Sequence, residues 1–138
     1  MGQKSNIIRK AAGIIISNQE LLVERSIGKD FYIAPGGKIE QGESAEQALV
    51  RELEEELDIQ IKQSDLRFFG SFHAAAANSP SQTVQMEVFL VSDWQGNIVA
   101  NESQELQWIN SKTAINFPIG SIFLHQVLPK LVKAKLVK

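Results

Sequence analysis

Between Ser44 and Asp58 the chain is committed to one helix, and that commitment limits what the rest of it can be. Ser44 stands three residues before Gln47, the spacing of a reciprocal N-terminal cap, and opens AEQALVRELEEEL, a run of strong helix formers. At roughly 100° per residue, Leu49, Val50, Leu53 and Leu57 form one apolar stripe, while Glu52 and Glu56 stand one turn apart on another with Glu55 beside them. One face needs a layer to pack against, and the other gathers carboxylates.

The flanking sequence supplies that layer. Residues 7–16, IIRKAAGIII, are rich in β-branched side chains, and the polar pair Asn18-Gln19 separates them from LLV at 21–23, which predicts a two-stranded hairpin. The segment SIGKDFYIAPGGKIEQGES holds four of the nine glycines and reads as a long ordered loop with short extended pieces, a length that usually carries function. Further strands are expected near 67–73, near 83–92 where TVQMEVFLV alternates and then turns wholly apolar, and near 105–109. The end, FLHQVLPKLVKAKLVK, is helix-like. With 138 residues, 43% of them hydrophobic, and no repeat, linker or low-complexity tract, the expectation is a single α+β domain over 1–138. Its mixed β-sheet would carry helices packed against it.

Several function classes drop out. A formal net charge of −2 lacks the basic excess needed to neutralise a phosphate backbone, so no nucleic-acid polymer is expected as partner. The chain has no cysteine, which removes disulfides, thiolate catalysis and the common structural zinc sites. MGQKSNIIRK carries no long apolar run behind its basic residues, and nothing reaches the roughly 18 apolar residues of a membrane span. A cytoplasmic protein without a membrane partner is the expectation, and monomer and homodimer both stay open. The C-terminal Lys130, Lys133, Lys135 and Lys138 read as a solvated helix face.

Eight of the sixteen acidic residues fall between positions 40 and 58. Glu52 and Glu56, four apart, cost an isolated helix a few tenths of a kcal/mol unless a cation lies between them. Carboxylate oxygens are hard ligands suited to magnesium or manganese, and magnesium keeps waters and substrate phosphate oxygens in its shell. Taken alone, such a cluster is more often a solvated surface face.

The spacing around the cluster decides between the two. From Gly37 there are five residues, then Glu43, seven more, then Arg51-Glu52-Leu53-Glu54-Glu55-Glu56-Leu57-Asp58-Ile59. This resembles the box of the Nudix hydrolases over all 23 residues, every specified position matching except the glycine near the helix end, here Asp58. Aspartate tolerates the left-handed conformation better than most residues, so a helix cap there is retained at modest cost. Gly13, the Pro35-Gly36-Gly37-Lys38 loop entry and Glu105-Leu106-Gln107-Trp108-Ile109 look like those of MutT-type members.

The resemblance implies the Nudix fold, an α/β/α sandwich, and a Mg2+ cofactor with Mn2+ as substitute. It also implies Glu52, Glu55 and Glu56 as metal ligands, joined by the Gly36 carbonyl. Two-metal and three-metal arrangements both occur in such sites. Water would attack a phosphorus of a P–O–P bridge, with Lys38 and Arg25 available to hold developing charge. Glu52 is the first choice of general base; Glu102, six residues before Trp108, is the alternative and also a further metal ligand. Arg51 reads as an orienting residue for Glu55 or Glu43. Relatives that sanitise oxidised guanine nucleotides read the base with an arginine and an asparagine. Offsets from Trp108 and Phe117-Pro118 put Gln82 and Ser121 at those points, which weighs against 8-oxo-dGTP as substrate.

The implied partner is a small nucleoside diphosphate derivative. A nucleoside triphosphate cleaved to monophosphate and pyrophosphate is the first reading. ADP-ribose, a nucleotide sugar or a dinucleotide is the second, and a non-catalytic nucleotide-binding module the third, against which the intact glutamates argue. His73 and His125 are expected to be structural or exposed; of Phe31, Tyr32, Phe72 and Phe117, at most one or two should touch substrate.

Overall fold

The computed structural model describes residues 6–76, 79–101 and 104–138. The expected hairpin is built, but the chain changes sheets on the way into it. Strand β1 (Ile7–Ile14) is followed by the short β2 (Ile16–Ser17) and by β3 (Glu20–Ser26). Asn18 and Gln19 both have positive φ, 52° and 61°, the two-residue turn whose twist suits a hairpin. Ile15, fully buried, lies between the two sheets and accepts the Leu22 N–H through its carbonyl at 2.9 Å.

After the loop come β4 (Gly36–Lys38), helix α1 (Ala45–Leu57), β5 (Leu66–Ala76), β6 (Ser79–Val91) and β7 (Gln104–Ile109). One sheet has the order β4-β1-β6-β5 and the other β2-β3-β7. The first is mixed: β1 runs parallel to β6, from Ile7↔Thr83 to Ile14↔Leu90, while β4 and β5 pair antiparallel with their neighbours. The mixed sheet is thus as expected, with a second sheet that was not.

Helix α1 begins and ends on the predicted residues. The Ser44 side chain accepts the Gln47 N–H while the Gln47 side chain accepts that of Ser44, and Asp58 takes the left-handed cap at φ 57°. Its buried side is Ala48, Leu49, Leu53 and Leu57, which pack on Ala11, Ile15, Leu22, Phe89 and Val91. Each leucine buried there stabilises the fold by roughly 1.5–3 kcal/mol. Val50, expected in that stripe, is only part-buried, and Ala48 takes its place on the sheet-facing side. By helical geometry Glu52 and Glu56 lie between Ala48 and the leucines, so the small alanine lets the carboxylates face the sheets.

The other face of the four-stranded sheet carries Ala12, Ile14, Phe72, Met86 and Val88 against Phe123, Val127 and Leu131 of the C-terminal helix. This completes an α/β/α sandwich. That helix is π-wound over Ile122–Val127 before the regular α2 (Leu128–Lys133). Pro129 has no N–H to give back along the helix, and its ring crowds the preceding turn, so the winding loosens just before it. The helix-like reading of the whole C-terminal segment is corrected at its end: after Lys133 the chain turns through Lys135 (φ 62°), buries Val137 and donates the Lys138 N–H to the Gln19 carbonyl at 3.0 Å. Among the described residues no helix is long and apolar enough to cross a membrane.

Candidate active site

The loop reaches the helix through its two adjacent glycines. Gly36 pairs with Ala12, has φ +150°, and a Cβ there would overlap the Ala11 carbonyl oxygen. Its N–H donates to Glu56 Oε1 at 3.0 Å. A Cβ on Gly37 would lie 2.5 Å from the Glu52 carboxylate. Backbone without a side chain is what lets the loop lie against two successive glutamates of one helix face.

Arg51 ties the acidic residues together. Its Nε and Nη2 donate to both oxygens of Glu43 at 2.8 and 2.9 Å, its Nη1 to Glu52 Oε1 at 3.0 Å, and its Nη2 to the Lys38 carbonyl at 3.3 Å. Glu55 Oε2 is 3.6 Å from Nη1 and its side chain is largely exposed. The expected choice between Glu55 and Glu43 therefore resolves to a two-pronged pair with Glu43, with Glu55 at the margin. Arg51, and then the Glu40 N–H, hold the Glu43 carboxyl down to about 2. Burial pushes the Glu52 carboxyl up, with Arg51 working against it.

A fifth carboxyl stands here that sequence reading missed. Glu24, on β3, is 2% exposed, and its carboxyl lies against that of Glu56. Burial pushes both carboxyls up. Glu24 Oε1 is buried without a hydrogen-bond partner. A signal was present: LLV before Glu24 is unbroken apolar sequence, the mark of a strand covered on both faces, so the next residue inherits the burial.

A divalent cation fits this donor set. The helix offers hard oxygens at Glu52, Glu55 and Glu56, and the orphaned Glu24 oxygen lies beside them without a donor. Among the described residues no three acidic, histidine or cysteine side chains are gathered round one point. An open surface depression of about 430 Å³ lies beside Glu55, Glu56 and residues 99–101.

The other predicted residues are scattered more widely. Arg25 Nη2 bonds Glu105 Oε2 at 3.0 Å, and its guanidinium lies 4.6 Å from the centre of the Tyr32 ring, whose hydroxyl donates to the same carboxylate. Phe117 meets Tyr32 edge to face. Lys38 is exposed at the end of β4, beside the site. Ser121 is exposed at the start of the C-terminal helix, close to Tyr32 through the Gly120 N–H to Tyr32 carbonyl bond of 2.8 Å. Gln82 stands on β6 on the face that bears Val84 and Met86, opposite the face carrying α1. Glu102 lies outside the described residues; Asn101 before it donates its N–H to the Glu56 carbonyl at 3.1 Å. Tyr32 and Phe72 are core, His73 and His125 exposed.

The chain matches the NUDIX domain over residues 8–131. It is 37% identical over 130 residues to the 8-oxo-dGTP diphosphatase of Haemophilus influenzae, covering 88% of this chain and 92% of that protein. It is 35% identical over 104 residues to the CTP pyrophosphohydrolase of Escherichia coli, 72% of this chain and 73% of that one. A solved structure from work on MutT of Aliivibrio salmonicida and Vibrio cholerae superposes with a TM-score of 0.69 at 30% identity, over 90% of this chain and 98% of the other.

Proposed function

The chain belongs to the Nudix family of hydrolases, and on that premise we propose that it is a magnesium-dependent pyrophosphohydrolase of a nucleoside triphosphate, releasing a monophosphate and pyrophosphate. The observation that carries this is the seating of Gly36 and Gly37 on Glu56 and Glu52, which aims two carboxylates of one helix at the space beside the loop. The triphosphate class is supported by the relatives, one named for 8-oxo-dGTP and one for CTP. Between those two bases, Gln82 and Ser121 favour no commitment to oxidised guanine.

The roles follow from the contacts. Magnesium bound at Glu52, Glu55, Glu56 and the Gly36 carbonyl would polarise phosphate oxygens and supply an acidified water. Glu52 takes the proton as the water oxygen bonds to phosphorus and the bond from phosphorus to the bridging oxygen breaks. Arg51, anchored on Glu43, keeps Glu52 from swinging away, and the Gly36 N–H fixes Glu56. Lys38 at the loop edge offers its charge to the leaving phosphates. Arg25, engaged by Glu105 and Tyr32, serves better as one wall of a base site than as a free phosphate ligand.

The test is product analysis on wild type and Glu56→Gln with magnesium and a panel of normal and oxidised triphosphates, dinucleotides and nucleotide sugars. Pyrophosphate and monophosphate are expected from a triphosphate, with turnover stopped by EDTA, restored by magnesium and lost in the variant. Turnover that persists in chelator or in Glu56→Gln refutes the site. Two monophosphates, or a sugar phosphate, would replace the triphosphate with a dinucleotide or nucleotide sugar.

A further inference from the structure

Glu24 is a costly choice of residue where it stands. Its neighbours Leu22 and Val23 are fully buried, and Glu24 is the one charged side chain among the described residues that is buried with them. Leaving a carboxyl oxygen there without a donor costs a fold roughly 1–3 kcal/mol, which an apolar side chain of similar volume avoids. Nor can the residue move aside. Its N–H donates to the Ile33 carbonyl at 2.7 Å, its carbonyl accepts the Ile33 N–H at 2.8 Å, and on its other side it is in register with Leu106.

The surroundings of this carboxyl hold acceptors and almost no donors. Glu56 is its carboxyl neighbour and receives one N–H, that of Gly36. Arg51, which serves Glu43, Glu52 and Glu55, makes no ion pair with either residue, and no other Lys, Arg or His among the described residues does so. Lys10 on β1 acts on Glu56 only at longer range. Two neighbouring carboxyls, one buried and one half-buried, with one N–H between them and one oxygen without a partner, lack positive charge at that point. The helix dipole does not supply it, because Glu56 lies in the last turn of α1, the negative end.

We propose that Glu24 is a ligand of the divalent cation, its idle Oε1 joining Glu56 to hold the ion from the sheet side. The Nudix box thus supplies the helical half of the cation site and β3 the other half. The inference rests on the reading of this site as metal-dependent and adds to it a carboxylate 28 residues upstream of Glu52, outside the box. It also accounts for the burial of a residue that makes the substrate-free protein less stable: the liability is relieved when the ion binds, and metal binding then stabilises the fold by mass action.

The experiment measures Mn2+ binding without substrate, by electron paramagnetic resonance of free Mn2+ and by calorimetry, on wild type, Glu24→Gln, Glu56→Gln and the remote control Glu20→Gln. Glutamine keeps the volume, and its amide N–H can still donate to Glu56, so a residue that merely props Glu56 would leave affinity unchanged. The expected result is a loss of 10- to 100-fold in Mn2+ affinity in Glu24→Gln, with the far-ultraviolet spectrum retained and Glu20→Gln as wild type. Wild-type affinity in Glu24→Gln overturns the proposal, while loss of binding and turnover in Glu56→Gln leaves the reading of the enzyme standing. Should Glu24→Gln fail to fold, a crystal of the wild type with magnesium decides: an ion at about 2.0–2.1 Å from Glu24 Oε1 upholds the assignment and an ion held without it refutes it. Absence of Mn2+ binding in the wild type would sink both readings together.

Discussion

Adding one methyl group to Gly36 and to Gly37 should damage the protein in two different ways, although the residues are adjacent. At Gly36 the new Cβ meets backbone, the Ala11 carbonyl oxygen, and the φ of +150° is one that side chains rarely adopt. Strain of that kind costs about 1–3 kcal/mol, and forcing β4 from β1 adds the loss of a ladder hydrogen bond, about 1 kcal/mol. A total near 3 kcal/mol lowers the melting temperature by roughly 10 °C in a chain of this length. At Gly37 the Cβ meets the end of a flexible side chain, 2.5 Å from Glu52 Oε1 where ordinary contact begins at 3.4 Å. The carboxylate can yield, but it must shift by nearly 1 Å, giving up its bond to Arg51, which is worth about 1 kcal/mol or less at this exposure. Displacement of a reacting group by about 1 Å can cost on the order of 100-fold in rate. Gly37→Ala is therefore expected to melt within about 5 °C of wild type and to lose about 100-fold in kcat with magnesium saturating. Circular-dichroism melts and pyrophosphate release measure the two quantities. Equal melting losses in the two variants, or a Gly37→Ala kcat near that of wild type, would refute the idea that the loop positions Glu52.

Three further outcomes follow from the same contacts. Because the Glu43 carboxyl is held down to about 2 from an ordinary 4.5, its pair with Arg51 stabilises the fold fully above about pH 4.5 and loses that contribution as pH falls toward 2. Glu43→Gln should thus be less stable than wild type at pH 6 and nearly indistinguishable at pH 2, and a constant gap across a melting series would contradict this. Asp58→Gly should be about 0.5 kcal/mol more stable and Asp58→Val about 1–2 kcal/mol less, since the cap needs a left-handed residue; equal urea midpoints for all three would remove the strain. Leu53→Ala should cost about 2–5 kcal/mol by urea titration, and a loss under about 1 kcal/mol would mean that α1 is not seated on the sheet as described.

What could be read from the sequence was whatever neighbours in the chain decide. The cap at Ser44, the left-handed Asp58 and the turn at Asn18-Gln19 each depend on residues within a few positions, and all three stand where expected. What could not be read depends on distant partners. Ile14, Ile15 and Ile16 look alike in sequence, and only pairing with β6 on one side and β3 on the other shows that the chain changes sheets between them. Ala48 is buried where the apolar stripe pointed to Val50, which stays half-buried, because the rotation of α1 on the sheets is set by partners distant in sequence. Arg25 looked like a free cation until Glu105, eighty residues on, claimed it. Glu24 drew no reading from the sequence, because its burial depends on the Ile33 segment and on Glu56, both brought there by the fold.

The change of sheet at Ile15 has a mechanical side. Gly36 and Gly37 ride on the four-stranded sheet and Glu24 on the three-stranded one, so the two walls that face Glu56 belong to different sheets. Both hydrophobic clusters take residues from both sheets, so the space between those walls is a gap over a shared core. An ion held across the gap would therefore act as a rivet, and amide hydrogen exchange along β3 and β4 would slow together when it is set.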